Sequence, residues 1–263
     1  MYAFTYSKPN DVNAAAAALA NDDAKALAGG MTLLPTMKQR LASPTVLVDL
    51  GAAGLSGIRR EGDTLVIGAT TRHVDVATSD VVKAAIPALA SLAGVIGDPA
   101  VRNRGTIGGS LANDDPAADY PAAALALNAT VVTNKREIAA DEFFQGLFET
   151  ALEAGEIITA VKFPLPQKAA YAKFRNPASR YCLAGVFVAK TAGGVRVAVT
   201  GAGAGGVFRA DAFEAALNSN FSAAALNGLG VSTDEMSSDM HASADYRAHL
   251  VGVMAKRAVE AAG

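Results

Sequence analysis

Two glycine pairs set among polar residues place the strongest constraint on how this chain can fold. One pair lies in "AGGMTLLP" at 28–35 and the other in "TIGGSLAND" at 106–114. Because glycine lacks a Cβ, its backbone can approach an anion closely and can adopt positive φ. Either segment alone is explained by a tight turn, but the two together favour a bound ligand. The four glycines are Gly29, Gly30, Gly108 and Gly109.

Hydroxyl side chains accompany both glycine segments and strengthen the prediction of an anion site. Thr32 follows the first pair, and Thr106 and Ser110 enclose the second. A helix that begins just after Gly30 would add its free N–H groups and its dipole. Two such segments can hold the two phosphates of a dinucleotide without a Walker-type lysine.

Three carboxylates, Asp114, Asp115 and Asp119, follow the second glycine segment and precede an alanine-rich stretch. An acid–base site usually has a histidine or lysine within reach, and the stretch 106–123 contains neither. We therefore predict that the backbone holds a phosphate-containing cofactor here and that no side chain of this chain is catalytic.

Up to about residue 166 the sequence predicts two units, and Pro164 and Pro166 mark the predicted end of the second. The first unit alternates helices and strands, and the second opens with a hairpin. The first unit has a helix over 10–21 capped near Asn10, a strand over 24–28, a helix over 31–42 with Thr32 as N-cap, and a strand over 45–50. The second has a hairpin over 55–69 that turns at Gly62 and Asp63, helices over 70–79 and 81–95, an irregular stretch over 96–119, a helix over 120–128, and strands over 129–133 and 156–164.

Beyond Pro166 the pattern changes to antiparallel strands followed by helices, which indicates an α+β domain rather than a doubly wound sheet. Two of the strands are joined by a turn at Gly193 and Gly194. The predicted elements are strands over 170–174, 183–191 and 194–202, and helices over 209–218, 222–230 and 243–262.

Composition excludes several classes of function. A net charge of −2 over 263 residues gives no excess of positive charge that would attract nucleic acid or an anionic membrane. Cys182 is the single cysteine, so the chain alone holds neither a disulfide nor a cysteine-ligated iron–sulfur cluster. The three histidines lack zinc-like spacing, and no metal site is expected. The absence of a signal-like start and of a membrane-length apolar run predicts a cytoplasmic protein.

One glycine-rich stretch is interpreted as a turn although it matches a nucleotide motif. "GAGAGG" at 201–206 fits the dinucleotide fingerprint formally. The fingerprint needs a crossover helix, a second parallel strand and an acid about twenty residues on, and the sequence offers no such acid. Structural roles are also predicted for His73, as a hydrogen-bonded histidine on an amphipathic helix, and for Cys182, as a core or near-core thiol. Arg102 and Arg104 fit either phosphate neutralisation or contacts with loop carboxylates.

Three stretches taken together resemble the FAD-binding medium subunit of the molybdenum hydroxylases. This family contains aerobic carbon monoxide dehydrogenase and bacterial relatives of xanthine dehydrogenase. The stretches are "AGGMTLLPTMKQRL", "VRNRGTIGGSLANDDPAADYPAA" and the tail "SADYRAHL". They occur in the expected order, and the resemblance covers nearly the whole chain.

The resemblance implies a particular α+β architecture. Residues 1–166 would form a two-part FAD-binding domain of the vanillyl-alcohol oxidase and p-cresol methylhydroxylase type, with subdomains at about 1–54 and 55–166. Residues 167–263 would form a smaller C-terminal α+β domain.

The resemblance also implies FAD as the cofactor and assigns residues to it. Two segments would wrap the pyrophosphate and the adjoining part of FAD. Asp119 would lie by the ribityl chain or the ring, Ile96 and Gly97 against the flavin, and Lys173 and Tyr181 near the isoalloxazine. The residues of the two wrapping segments are Ala28, Gly29, Gly30, Met31, Thr32, Leu33, Leu34, Pro35, Thr106, Ile107, Gly108, Gly109 and Ser110.

The chain departs from the family pattern after the first glycine pair. Histidine or glutamine and then serine are frequent there, whereas this chain has Met31 and Thr32. Thr32 keeps a hydroxyl, but Met31 lacks a polar group for the cofactor. The single cysteine argues against the subgroup whose flavin subunit carries an additional iron–sulfur cluster.

The resemblance implies an electron-transfer role within a complex. A large molybdopterin-binding subunit would hydroxylate the substrate, and a small iron–sulfur (2Fe–2S) subunit would pass the electrons to this chain. The assembly would be a heterotrimer or its dimer, and NAD, a quinone and oxygen are all compatible acceptors. Two alternatives stay open. A self-contained flavin oxidase or reductase of the same fold would need its own acid–base residues, and a nucleotide-binding scaffold would lack a flavin spectrum.

Overall fold

A computed structural model of the chain describes residues 1–21 and 23–263, and its N-terminal part is a small parallel sheet. The strand order is β1–β3–β2, with both pairings parallel, so the helices serve as crossovers between the strands. The elements are β1 (Thr5–Ser7), α1 (Val12–Leu19), β2 (Ala24–Leu27), α2 (Leu33–Lys38) and β3 (Val46–Asp49). The Asp11 carboxylate caps α1 by accepting a hydrogen bond from the Ala14 N–H, one residue later than predicted.

The middle of the chain forms a five-stranded antiparallel sheet in the order β4–β5–β10–β6–β7. Six helices lie in the connection between the second and third of its strands along the chain. The strands are β4 (Ile58–Glu61), β5 (Thr64–Gly68), β6 (Thr130–Thr133), β7 (Glu137–Ala139) and β10 (Ile158–Pro164). The helices are α3 (His73–Thr78), α4 (Asp80–Ala85), α5 (Pro87–Gly94), α6 (Pro99–Arg104), α7 (Ile107–Asn113) and α8 (Tyr120–Ala126). A short helix α9 (Ala140–Phe143) leads to a small hairpin of β8 (Phe144–Gly146) and β9 (Glu149–Thr150).

Two predictions in this region are wrong because local stop and start signals were overlooked. The two predicted helices over 70–95 are three, since Ser79 caps α4 and Pro87 begins α5. The stretch predicted to be irregular over 96–119 contains two helices. Asp98 caps α6, and Thr106 caps α7 by accepting a hydrogen bond from the Gly109 N–H.

The C-terminal part is a four-stranded antiparallel sheet with helices packed on one face. Its strands are β11 (Lys168–Arg175), β12 (Cys182–Thr191), β13 (Gly194–Thr200) and β14 (Phe208–Arg209), in that order across the sheet. The helices are α10 (Asp211–Ser219) and α11 (Ala244–Ala262), and the helix predicted over 222–230 is only a 3-10 segment at Ala223–Leu226. Two further 3-10 segments span Leu50–Ala52 and Thr233–Glu235. The predicted α+β class is confirmed.

The stretch 201–206 is a turn, as predicted. It connects β13 to β14, which pair antiparallel, so no crossover helix follows the glycines. The dinucleotide fingerprint requires that helix. The formal motif match therefore has no structural counterpart here.

The main hydrophobic core continues from the five-stranded sheet into the C-terminal sheet. Tyr120, Phe143 and Phe163 are fully buried in it, together with Phe187 from β12. Every residue of α8 is buried, because this helix lies between the middle part of the chain and β12 and β13. The C-terminal sheet is thereby held against the segment that leads into α8, and this contact shapes the cavity described next.

Candidate functional site

A cavity of about 680 Å³ lies where the three main sheets meet. The N-terminal sheet contributes residues 25–33, the middle part contributes residues from 96 to 119, and the C-terminal sheet contributes Lys173 and residues 179–181. This volume lies within the range of ligand and cofactor sites. The cavity exists only because all three parts of the chain are in place.

Fifteen of the eighteen residues predicted to bind the cofactor line this cavity. The remaining three do not: Leu34 and Pro35 lie inside α2, and Ile107 is fully buried at the start of α7. Those that line it are Ala28, Gly29, Gly30, Met31, Thr32, Leu33, Ile96, Gly97, Thr106, Gly108, Gly109, Ser110, Asp119, Lys173 and Tyr181. Sequence spacing alone did not show that residues separated by up to about 150 positions would share one cavity.

The first glycine segment has the geometry of an anion site. Gly30 has a φ of +72°, a conformation that other residues adopt only with strain. Among the described residues, nothing accepts a hydrogen bond from the N–H groups of residues 30–33. The Thr32 hydroxyl does not cap α2, so it is also uncommitted. Consecutive free N–H groups beside a cavity are the donors that a phosphate needs.

Gly29 is required for a different reason, the packing of the protein against itself. A Cβ at Gly29 would lie 2.2 Å from the carbonyl oxygen of Arg104 at the end of α6. No side chain can occupy that space without moving backbone. Gly29 therefore brings the first glycine segment against the segment that leads to the second.

The backbone conformation and the hydrogen bonding of the second glycine segment differ from the prediction. Gly108 and Gly109 lie in the first turn of α7 and do not have positive φ. The four N–H groups of this turn are already bonded, and their acceptors are close by in the fold. They donate as follows: Ile107 to the Thr71 carbonyl, Gly108 to the Ala69 carbonyl, Gly109 to the Thr106 hydroxyl, and Ser110 to the Thr106 carbonyl. The second glycine segment therefore offers a ligand space and hydroxyl groups, because its N–H groups are already bonded within the protein.

The two glycines of this turn serve different purposes. A Cβ at Gly108 would lie 2.6 Å from the Ala69 Cβ, so Gly108 allows α7 to pack on the end of β5. A Cβ at Gly109 would lie 2.9 Å from the Thr106 Oγ1 and 3.8 Å from the Ala28 Cβ. That position is on the cavity wall between the two glycine segments. Gly109 is therefore the glycine of α7 whose missing side chain enlarges the site.

The three carboxylates after α7 have three separate roles. Asp114 ends the helix with a φ of +41°, and its burial, followed by the charge of Asp115, raises its pKa to about 7. The Asp115 carboxylate accepts a hydrogen bond from the Ala117 N–H at 2.8 Å and so tightens the turn. Only Asp119 reaches across to the C-terminal sheet.

Asp119 forms a buried ion pair at the cavity wall. Its Oδ2 accepts a hydrogen bond from the Lys173 ammonium at 2.9 Å, and both side chains are almost fully buried. The Tyr171 hydroxyl donates to the other carboxylate oxygen, Oδ1. Burial raises the pKa of Asp119, while Lys173 and Tyr171 oppose that rise. Tyr171 was not predicted, although its spacing of two from Lys173 on one strand places both on the same face.

The C-terminal sheet also fixes the backbone that carries Asp119. The Thr200 hydroxyl donates to the Ala118 carbonyl at 2.6 Å, and the Gly201 N–H donates to the Pro116 carbonyl at 2.8 Å. The segment between α7 and α8 is therefore bonded to the end of β13.

Tyr181, on the loop before β12, is 61% exposed at the mouth of the cavity.

One arginine and one histidine near the cavity make contacts that differ from the predicted ones. The Arg102 guanidinium donates to the carbonyl oxygens of Ile96 and Gly97, at 2.8 and 3.2 Å, rather than to carboxylates. His73 was predicted to be hydrogen-bonded, but it is buried and its Nδ1 has no partner among the described residues. Burial, helped by the charge of Arg102, lowers the pKa of His73 to about 4. A neutral imidazole therefore lines the cavity.

Comparison with known proteins places these features in one family. A family model described as the FAD binding domain in molybdopterin dehydrogenase matches residues 2–166. The carbon monoxide dehydrogenase medium chain of Hydrogenophaga pseudoflava is 36% identical over 98% of this chain and 96% of its own length. The nicotine 6-hydroxylase medium subunit of Paenarthrobacter nicotinovorans is 38% identical over 99% and 98%, respectively.

Solved structures agree with the sequence comparisons. A chain of the carbon monoxide dehydrogenase from Hydrogenophaga pseudoflava superposes with a TM-score of 0.90 at 38% identity, covering 99% of this chain and 97% of that one. A chain of quinoline 2-oxidoreductase from Pseudomonas putida 86 superposes with a TM-score of 0.88 at 30% identity, with the same coverage of both chains.

The fold and the cavity thus define an FAD-binding subunit of an oxidoreductase. The chain belongs to the molybdenum hydroxylase family, as its FAD-binding medium subunit, and its cofactor is FAD. The resemblance noted in the three sequence stretches is confirmed. None of the helices that the structure describes is both long and apolar enough to cross a membrane.

The depressed pKa of His73 predicts a specific acid sensitivity. The unfolded chain binds a proton at His73 below about pH 6.5, whereas the folded chain resists protonation until about pH 4. Stability is therefore lost as the pH falls between these values. We expect His73→Phe to reduce the loss of unfolding free energy between about pH 6.5 and about pH 5 by about 1.5 kcal/mol in urea titrations. His241→Phe, at an exposed histidine, is the control and should leave the pH profile unchanged.

Proposed function

We propose that this chain is the electron-transfer subunit of a molybdenum-containing hydroxylase or dehydrogenase. It would receive electrons from the iron–sulfur clusters of a partner subunit and deliver them to an external acceptor. The bound FAD supplies the redox chemistry, and the chain supplies its position and electrostatic surroundings. The observation that carries the proposal is the cavity between the three sheets, with free N–H groups at residues 30–33 and a buried cation, Lys173, further along its wall.

The residues present fit a dinucleotide in one orientation. The N–H groups of residues 30–33 belong to the cavity lining and suit the pyrophosphate, and the space left by Gly109 suits its close approach. Thr32, Thr106 and Ser110 add hydroxyls there. The Asp119 and Lys173 end suits the isoalloxazine, with Ile96, Gly97 and Tyr181 around it. Leu34, Pro35 and Ile107 do not line the cavity, and no contact with the cofactor is proposed for them.

A second, apolar part of the cavity lining suits the adenosine part of FAD. Leu50 and Ile157 line it with buried apolar side chains. Glu156 lies beside them, but its carboxylate is fully engaged: burial acts to raise its pKa, and hydrogen bonds from Arg136, the Glu153 N–H and Thr133 outweigh this and lower the pKa to about 2. A carboxylate held in this way serves the fold and not proton transfer.

We also propose a division of the chain into domains. Residues 1–166 would form the FAD-binding domain, with subdomains at about 1–54 and 55–166, and residues 167–263 would form the C-terminal domain. The parallel sheet, the five-stranded sheet and the four-stranded sheet support this division. In this arrangement the C-terminal domain closes the flavin end of the site through Lys173.

The partners would be a large molybdopterin-binding subunit and a small 2Fe–2S subunit, in a heterotrimer or its dimer. Support comes from the relatives, which are called medium chains or medium subunits and cover nearly the same length as this chain. The mouth of the cavity carries exposed apolar residues, Met31 and Tyr181, which suit contact with a partner or an acceptor. We also propose a cytoplasmic location for the complex, which is supported by the single buried thiol of Cys182.

A self-contained flavin oxidase or reductase of the same fold is the alternative, and the state of the carboxylates at the cavity counts against it. Asp119 is held by Lys173 and Tyr171, Asp115 by a turn, and Glu156 by Arg136. None of these three carboxylates is therefore free to act as a general base toward a substrate.

Replacing Gly109 tests where the cofactor lies. We expect Gly109→Val to raise the Kd for FAD at least tenfold, because valine would fill the space between Ala28 and Thr106 that the ligand uses. Tenfold corresponds to about 1.4 kcal/mol of binding free energy. Flavin fluorescence quenching on titration with FAD measures the change.

Gly205→Val is the matched control for this substitution. A Cβ at Gly205 would meet no atom within 4 Å, and the residue lies in the turn at 201–206, away from the cavity. Its FAD affinity should stay within twofold of the unsubstituted chain. If Gly205→Val loses FAD while Gly109→Val retains it, the cofactor has been assigned to the wrong glycine segment.

The role within a complex is tested by isolating the chain under native conditions. Gentle purification at native expression level, followed by native mass spectrometry, should show this chain bound to a larger molybdopterin-containing chain and a smaller iron–sulfur chain. Rapid mixing of that complex with its substrate should bleach the flavin absorbance. Isolation of the chain alone, loaded with FAD and oxidising a substrate by itself, would instead support the self-contained enzyme.

A further inference from the structure

Tyr171 makes contacts that the proposed function does not use. It lies on β11, two residues before Lys173, so that the two side chains share one face of the strand. Its hydroxyl donates to Asp119 Oδ1, while Lys173 donates to Oδ2 of the same carboxylate. Lys173 also donates to the Val95 carbonyl at 3.3 Å. The three side chains therefore form one hydrogen-bonded unit, with Asp119 at its centre.

The strand opposite Tyr171 is built to leave room for its hydroxyl. Gly185 lies in the middle of β12, where glycine weakens a strand and needs a reason. A Cβ at Gly185 would lie 2.4 Å from the Tyr171 hydroxyl oxygen and 2.8 Å from the Cys182 sulfur. The ring of Tyr171 is stacked on Phe187, with centroids 6.1 Å apart, and is therefore held in place independently of the hydroxyl.

We propose that Tyr171 is a positioning residue that keeps Asp119 ionised beside Lys173 and thereby holds down the reduction potential of the flavin. This inference rests on the proposed function, since it needs the isoalloxazine at the Asp119 and Lys173 end of the cavity. With the carboxylate ionised, the Lys173 charge is balanced and does little to favour the extra negative charge of a reduced flavin. Without the Tyr171 hydroxyl, Asp119 Oδ1 is a buried acceptor with no donor.

An unsatisfied buried carboxylate takes up a proton more readily. The charged and titratable groups around Asp119 are few: Lys173 and Arg175 from β11, Tyr171 from the same strand, Cys182 from β12, and Tyr120 next to it in α8. Once Asp119 is neutral, the Lys173 ammonium stands uncompensated at the cavity wall. An uncompensated positive charge beside the ring stabilises the reduced form, so the reduction potential rises.

The test is the flavin reduction potential of the full chain loaded with FAD, measured by equilibration with a redox dye. Tyr171→Phe should shift the equilibrium constant toward reduced flavin at least tenfold, which is about 30 mV for a two-electron couple. Asp119→Asn should shift it in the same direction, because it removes the carboxylate charge directly. Tyr6→Phe removes a similar tyrosine-to-aspartate hydrogen bond, to Asp49 at the surface of the N-terminal sheet, and should leave the potential unchanged.

Gly185→Ala gives an independent route to the same result, because its methyl group would displace the Tyr171 hydroxyl. We expect its shift to match that of Tyr171→Phe, and the double variant to show no more than either alone. If Tyr171→Phe fails to fold, Gly185→Ala and Asp119→Asn decide the question.

A fully loaded Tyr171→Phe protein with an unchanged potential would overturn the inference. So would loss of FAD from that variant at unaltered thermal stability, since the hydroxyl would then serve binding. Failure of the unsubstituted chain to bind FAD would instead contradict the proposed function.

Discussion

The ion pair between Asp119 and Lys173 joins the segment after α7 to the C-terminal sheet, and this part of the cavity wall depends on it. Both side chains are almost fully buried. Burying two charges costs several kcal/mol of desolvation for each ion, and a well-packed apolar pair is often as stable. Stability alone therefore does not account for the pair. Its position on the wall of the cavity suggests a further role, because the Asp119 carboxylate there balances the charge of Lys173.

The four glycines of the two paired segments illustrate what a sequence can and cannot predict. Their pairing predicts a cofactor site, because closely approaching backbone requires glycine, and all four line the cavity. The sequence did not distinguish their roles, since these depend on neighbours from distant parts of the chain. Gly29 accommodates Arg104 and Gly108 accommodates Ala69, whereas Gly30 alone has positive φ and Gly109 alone faces open space near the other segment. Only the fold identifies residues 30–33 as the free donors.

The secondary structure was predicted best where patterns are local. The hairpin at Gly62 and the turn at Gly193 agree with the structure because turn residues act on their immediate neighbours. The helices α6 and α7 were missed although Asp98 and Thr106 are ordinary N-caps, because the glycines and prolines around them suggested irregular chain. Tyr171 was missed for another reason: its partner Asp119 lies 52 residues away, and no local pattern reports such a contact.

Hydrogen–deuterium exchange with and without FAD tests the central claim most directly. The N–H groups of residues 30–33 have no acceptor among the described residues and should exchange rapidly in the flavin-free chain. Saturating FAD should slow their exchange at least tenfold if they hold the pyrophosphate, while the turn at 201–206 should be unaffected. Stoichiometric FAD binding that leaves residues 30–33 exchanging at the flavin-free rate would contradict the account, and protection confined to 201–206 would move the cofactor elsewhere.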